Sequence, residues 1–166
     1  MIVDLNGLHG VFEKCSKVDL TAGSHAAYIE GFQAGGGAAM TVNYAGPDTD
    51  DEKIFMMSGR VPNRYYKDCD PTKDSSTVPM FTICTFKKTA GDRSLTYTPR
   101  MGDAVAMDQV SFVGKGQVAV IDFHSALNFR QYVLQTPKIE FGWAIYGHLT
   151  IEQPGSYSLC ITSDDG

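Results

Sequence analysis

The stretch 141–163 reads FGWAIYGHLTIEQPGSYSLCITS, and it decides the fold class. Apolar residues alternate on both sides of a turn signal at 153–155: Trp143, Ile145, Leu149 and Ile151 before it, and Tyr157, Leu159 and Ile161 after it. Successive side chains of a strand point to opposite faces, so this alternation predicts two strands that each bury one face. Since Gln153-Pro154-Gly155 favours a turn, we predict that 141–163 is a hairpin.

Other segments also favour strands. Residues 25–32 and 38–44 are predicted strands around the three glycines 35–37, which permit positive φ and suit a tight hairpin. The one predicted helix covers 125–134, where Ser125 can act as the cap and Pro137 ends the helix.

Composition limits the possible functions. The chain has 166 residues, 43% hydrophobic and 20% charged, which is typical of one well-buried domain. Its 17 glycines and 11% aromatic residues, in short alternating runs, favour an all-β fold. The net charge of −5 argues against nucleic acid as a partner. No apolar run reaches the ~18 residues of a membrane span, and residues 1–4 lack the features of a signal peptide.

The four cysteines have no C-x-x-C spacing, which argues against a zinc or thioredoxin-like motif. Cys69 and Cys84 flank a stretch rich in Pro, Asp, Ser and Thr, and they are predicted to form a local disulfide. Disulfides would place the protein in an oxidising compartment, and the alternative is four buried thiols in a reducing one.

Two segments at the ends of the chain carry related motifs. Residues 100–166 hold the alternating pattern that ends in Ser163-Asp164-Asp165-Gly166. Residues 1–49 hold Val3-Asp4, Gly7-Leu8-His9-Gly10, Leu20-Thr21-Ala22-Gly23-Ser24-His25 and Gly46-Pro47-Asp48. The first segment resembles the core strands of the PA14 domain family, and the second resembles the later pieces of the same family pattern. The family order is therefore permuted here, as if a repeating protein had been cut between periods.

The resemblance implies an all-β, PA14-like antiparallel β-sandwich or barrel built from both ends of the chain. Residues 1–49 then form the C-terminal half of the domain and 100–166 the N-terminal half. Residues 50–99 do not resemble the family, and we interpret them as an irregular, disulfide-stapled connector with short strands at 53–57 and 80–86. The family fold brings the halves together, so the resemblance also implies that Cys15 pairs with Cys160, within one chain or between neighbours.

Asp164 and Asp165 match an Asp pair that, in the adhesin and lectin branch of this family, is joined by a cis peptide and binds Ca²⁺. The resemblance therefore implies a calcium site at these residues. Calcium takes six to eight oxygen ligands, so further ligands would come from backbone carbonyls or from the weaker candidates Asp4, Asn6 or Asp48. The alternative is that Asp-Asp-Gly is simply a turn.

Other reactive side chains predict no second site. The four histidines, His9, His25, His124 and His148, are scattered, and His9 and His25 are predicted to pack or to stabilise turns. Trp143 with Tyr146 and Tyr157 could form a sugar-stacking platform, but Trp143 shares a face with Ile145, which favours a core role. No Gly-x-Ser-x-Gly elbow or paired acid and base is present, so an enzyme is not predicted.

We therefore expect a structural or adhesive module of an extracellular or cell-surface protein, one period of a tandem PA14-like array or filament. In the favoured arrangement, residues 1–49 complete the 100–166 half of the preceding copy, which links copies head to tail. Residues 1–49 could instead fold against 100–166 of the same chain. The alternative function is a Ca²⁺-dependent carbohydrate-binding module, and a third is an accessory domain inserted in a glycosidase or toxin.

Overall fold

The computed structural model describes residues 2–57, 80–88 and 110–166. Nearly all of the regular structure in these residues is β-strand. In chain order the elements are β1 (Phe12–Leu20), β2 (Gly23–Gln33), β3 (Met40–Ala45), a 3-10 turn (Pro47–Thr49), β4 (Ile54–Phe55), β5 (Phe81–Lys88), β6 (Val110–Val118), β7 (Asp122–Phe123), α1 (Ala126–Tyr132), β8 (Phe141–Ile151) and β9 (Gly155–Ser163).

The strands form two antiparallel sheets that pack face to face. Sheet A has the order β1-β9-β3-β4, with β7 also paired to β3. Sheet B has the order β2-β8-β5-β6. The prediction of an all-β antiparallel sandwich is confirmed.

The main core lies between the sheets. Trp143 and Ile145 of β8 face Tyr157 of β9, and all three are buried, as the alternation predicts. Helix α1 closes one end of this core, because the fully buried Phe129 packs against Phe141 and Trp143 with ring centroids 5.2 Å from each. The predicted short helix is therefore present and has a packing role.

A second apolar cluster covers the opposite face of sheet B. Its buried members are Phe32, Cys84, Phe86, Ala144 and Tyr146. Strand β8 is consequently buried on both faces over most of its length. The sequence predicts only one buried face for β8. Alternation identifies the face with the largest apolar residues, and it does not show that the small and aromatic residues on the other face are buried too.

The predicted hairpins are wrong, although the strands themselves are present. Strand β8 belongs to sheet B and β9 to sheet A, so residues 152–154 carry the chain from one sheet to the other. The same holds for β2 and β3 on either side of the glycines 35–37. Alternation and turn residues are local signals, whereas the pairing partner is set by the packing of the two sheets.

Residues 12–45 complete the sheets of residues 141–163 within one chain. Strand β1 pairs with β9 from Phe12↔Ser163 to Leu20↔Gly155. Strand β9 also pairs with β3, and β2 pairs with β8 over eleven residues. These pairings correspond to the arrangement in which residues 1–49 fold against 100–166 of the same chain, and the head-to-tail exchange between copies stays a prediction.

The predicted Cys15–Cys160 disulfide is present within the chain, and it joins residues directly opposite each other in β1 and β9 with Cα atoms 4.0 Å apart. Cys84 is buried in β5 and is also disulfide-bonded. Its predicted partner Cys69 lies outside the described residues, so the Cys69–Cys84 pairing stays a prediction.

The segment 50–99 contributes two strands where short strands were predicted. Strand β4 pairs with β3, and β5 lies inside sheet B between β8 and β6. Phe81 and Ile83 of β5 are fully buried in the main core. This part of the chain is thus integral to the sandwich; residues 58–79 and 89–99 lie outside the described ranges.

Candidate functional site

Three loops meet where β9 ends, and we call them together the Asp tip: residues 7–10, 34–37 and 164–166. The Asp164 N–H donates to Ala39 O at 3.1 Å, which extends the ladder past β9. Gly166 then donates its N–H to Gly7 O at 2.9 Å and accepts the Phe32 N–H at 2.6 Å. A Cβ on Gly166 would lie 2.5 Å from the Gly7 nitrogen, so only glycine fits between these segments.

The Asp165 carboxylate holds the loops of the Asp tip together. It is 6% exposed, and its Oδ2 accepts the Ala34 N–H at 2.9 Å and the Gln33 Nε2–H at 3.1 Å. Its Oδ1 accepts the His9 N–H at 3.4 Å, which is a longer and weaker contact. A buried carboxylate is tolerated only with such donors, so Asp165 has a structural role.

Asp164 differs from its neighbour in both exposure and bonding. Its side chain is half-buried and lies beside Gly37, where an added Cβ would come within 3.1 Å of Asp164 Oδ2. The carboxylate makes no hydrogen bond to another described residue. Glycines 35–37 next to it are exposed, and Gly36 has φ of 84°. Asp164 is therefore an acceptor beside an accessible glycine backbone.

The Asp pair does not fit a calcium ion shared by both carboxylates. The described residues contain no cis peptide, so the Asp164–Asp165 bond is trans, contrary to the family pattern. Both oxygens of Asp165 accept N–H bonds, and only Asp164 remains open. Calcium needs many more oxygen ligands than one carboxylate supplies.

The weaker candidates for calcium ligands lie at two different ends of the sandwich. Asp4 and Asn6 line a small cavity of 60 Å³ with Ser163 and Gly166, so they lie beside the Asp tip. The Asp4 Oδ1 accepts the Asn6 N–H at 3.1 Å within their own loop. Asp48 lies at the other end of β9, roughly 30 Å from the tip. Asp48 is therefore excluded from this site.

The Asp48 carboxylate instead stabilises the connection between β8 and β9. Its Oδ2 and Oδ1 accept the N–H groups of Glu152 at 2.9 Å and Gln153 at 2.6 Å. Desolvation would raise the pKa of the Asp48 carboxyl, but these hydrogen bonds outweigh it and hold the pKa below its ordinary value. The Tyr157 hydroxyl donates to Gln153 O at 2.6 Å and reinforces the same connection.

The histidines do not converge. The His9 ring contacts the carbonyls of Leu5 and Gly10, both at 2.9 Å, and the His25 ring contacts Thr21 O at 2.7 Å, in agreement with their predicted turn-stabilising role. His124 pairs with Asp122 on the surface. Burial lowers the pKa of His148.

Among the described residues, one group of side chains is close enough together to hold a metal ion: Glu13 with Cys15 and Cys160. Both sulfur atoms of this group are already joined in the disulfide.

The predicted aromatic platform is part of the core. Trp143 is buried with its Nε1 2.9 Å from Met40 Sδ, and Tyr157 is fully buried. Tyr28 is an accessible aromatic ring: it is 46% exposed, packs against the ring of Tyr146 with centroids 5.1 Å apart and donates its hydroxyl to Glu30 at 2.5 Å. Burial and the Glu30 charge raise the pKa of Tyr28, so its hydroxyl stays protonated.

Sequence reasoning missed the Tyr28–Glu30 pair, although a signal was present. The two residues are two positions apart in a predicted strand and therefore share a face.

No helix in the part of the chain that the structure describes is long and apolar enough to cross a membrane. Comparison with protein-family models, curated proteins and solved structures finds no match for this chain.

Proposed function

We propose that this chain is a PA14-like structural or adhesive module of an extracellular or cell-surface protein. The observation that carries the proposal is the Cys15–Cys160 disulfide, because Cys15 lies on an exposed strand that solvent and reductants reach. Disulfides of this kind persist in oxidising compartments and are rare in reducing ones.

The position of the disulfide also supports a structural role. It joins an edge strand to its neighbour and closes a loop with a sequence separation of 145 residues. In the chain-entropy account, a loop of this length constrains the unfolded state by about 5 kcal/mol. A module held in this way keeps its shape outside the cell, where chaperones and reductants are absent.

The test is to block thiols in the source cells before lysis and then to map peptides without reduction. We expect a Cys15–Cys160 linked peptide in the extracellular or surface fraction. Free thiols at both positions in a protein recovered from the cytosol would overturn the proposal.

A glycan-binding module is the second candidate function. The observation that favours it is Asp164, which has unused acceptor capacity beside the exposed glycines of the Asp tip. A carboxylate in this position can accept hydrogen bonds from sugar hydroxyls directly, or it can supply one ligand to a calcium ion that bridges to the sugar.

A glycan array distinguishes these possibilities. Binding by the wild type that is lost in Asp164→Asn and kept in the surface control Asp19→Asn supports a glycan site at the tip. Loss of wild-type binding in chelator identifies the calcium-bridged form, and persistence identifies direct recognition. The absence of any array signal that depends on Asp164 would leave only the structural role.

A further inference from the structure

We propose that two copies of this chain associate through their β1 strands, which add to each other antiparallel about a two-fold axis at Cys15. Strand β1 forms one edge of sheet A, so one side of its backbone has no strand beside it within residues 2–57, 80–88 and 110–166. Such an edge is a template for another strand.

The register of β1 on β9 shows which backbone groups are free. Cys15 and Cys160 are directly opposite with a Cα separation of 4.0 Å, which is the close spacing of a non-hydrogen-bonded pair. The N–H and C=O of Cys15 therefore point away from β9. The same is true of every second residue, so Glu13, Lys17 and Asp19 also present their backbone groups at the edge. Among the described residues, β1 has β9 as its strand partner, and no backbone group of a described turn or loop bonds these four residues.

The charges of β1 favour one symmetric register. With Cys15 opposite Cys15 of the second copy, Glu13 of each chain lies opposite Lys17 of the other. This gives two ion pairs on the outer face of the joined sheet. Glu13 also pairs with Lys53 in its own chain, and a carboxylate can accept from both lysines.

Neighbouring registers are disfavoured. Sliding one strand by two residues brings Glu13 opposite Asp19 in one direction and Lys14 opposite Lys14 of the second copy in the other. Like charges directly opposite each other are destabilising, whereas opposite charges are stabilising.

The apolar residues of β1 support the same register. Phe12 is 55% exposed and the preceding Val11 is 66% exposed. In the symmetric register Phe12 lies opposite the half-buried Val18 of the second copy, and this pair also occurs twice. The contact uses the same surface on both molecules, so it closes on itself as a dimer and does not propagate into a fibre.

The test is sedimentation velocity of the full chain over a wide range of concentrations. We expect a reversible wild-type dimer that weakens as salt is added. Lys17→Glu and Glu13→Lys each place like charges opposite each other twice, so each should raise the dimer dissociation constant about tenfold or more. Lys138→Glu, at an exposed position away from β1, changes net charge as Lys17→Glu does and should leave the dimer unchanged.

Mixing the two single variants separates lost contacts from lost folding. E13K and K17E chains carry complementary charges in this register, so an equimolar mixture should form a heterodimer at concentrations at which each variant alone is mostly monomeric. The double variant E13K/K17E should likewise recover the dimer. A wild type that is monomeric at all concentrations, a K17E chain that dimerises like the wild type, or a mixture that stays monomeric would each overturn the proposal.

Discussion

The Asp165 carboxylate and the Ala34 amide are 2.9 Å apart, and this hydrogen bond ties the end of β9 to the loop that follows β2. It therefore links sheet A to sheet B at the Asp tip. The neighbouring Asp164 makes no comparable bond among the described residues. Two adjacent carboxylates consequently have different roles, one structural and one open to solvent or ligand.

Replacing Asp165 with Asn should destabilise the fold much more than replacing Asp164. Asp165→Asn removes the charge from a buried acceptor with three N–H donors, which we expect to lower the free energy of unfolding by about 1–3 kcal/mol. Asp164→Asn should change it by less than about 0.5 kcal/mol. Urea unfolding of both variants measures the difference. Equal effects would show that Asp165 does not organise the tip.

Removing the interstrand disulfide should cost much of the stability. We expect C15S/C160S to lower the free energy of unfolding by about 3–5 kcal/mol, since the unfolded chain then loses its longest constraint. The double variant is preferable to a reductant because Cys84 is also disulfide-bonded. Urea midpoints of the two proteins in the absence of reductant give the result. A loss below about 1 kcal/mol would contradict the expected role of this bond.

Asp48 should make stability depend on acid pH. Its pKa is lowered in the folded state, so its contribution is present above the unfolded value of about 3.9 and is lost as pH falls through the lower folded value. Thermal melts of the wild type and Asp48→Asn between about pH 2 and 7 should therefore differ near neutrality and converge in acid. A difference that is constant over this range would mean that Asp48 does not clamp the connection between β8 and β9 as an anion.

Gly31 should tolerate no side chain, whereas Gly35 should. A Cβ on Gly31 would lie 2.3 Å from Trp143 Cζ2 and 2.8 Å from Gly166 O. Gly31→Ala must displace a buried indole ring or the Asp tip, and overpacking of this kind costs about 1–3 kcal/mol. Gly35→Ala meets nothing within 4 Å and serves as the matched control. Similar melting temperatures for the two variants would contradict this account.

Local features of the fold could be predicted from the sequence, and non-local ones could not. The alternation around Trp143 and Tyr157 correctly identified β8 and β9, because burial of every second residue in a strand is visible as a pattern among residues adjacent in sequence. Their assignment to different sheets depends on contacts with β2 and β1 more than a hundred residues away. The same limit applies to β5, whose position inside sheet B follows from its neighbours β8 and β6.

The candidate site was predicted in part. The resemblance pointed to Asp164 and Asp165, and the structure places both at a loop cluster. Which carboxylate is open depends on Gln33 and Ala34, which are 131 or more residues away in sequence. Asp48 looked equally suitable by residue type, but its carboxylate is committed to the other end of the sandwich. The sequence identifies which residues have side chains that can bind a metal ion, whereas the fold determines which of these side chains lie close together.

The Cys15–Cys160 disulfide also determines how the sandwich would respond to tension. Only three residue pairs, Phe12↔Ser163, Glu13↔Thr162 and Lys14↔Ile161, lie between this bond and the end of the ladder where both strands leave the sheet. A pull between residues before Phe12 and residues after Ser163 would peel these pairs apart and then meet a covalent bond. The chain between the two cysteines would carry none of the force, so the sandwich would transmit load without unravelling.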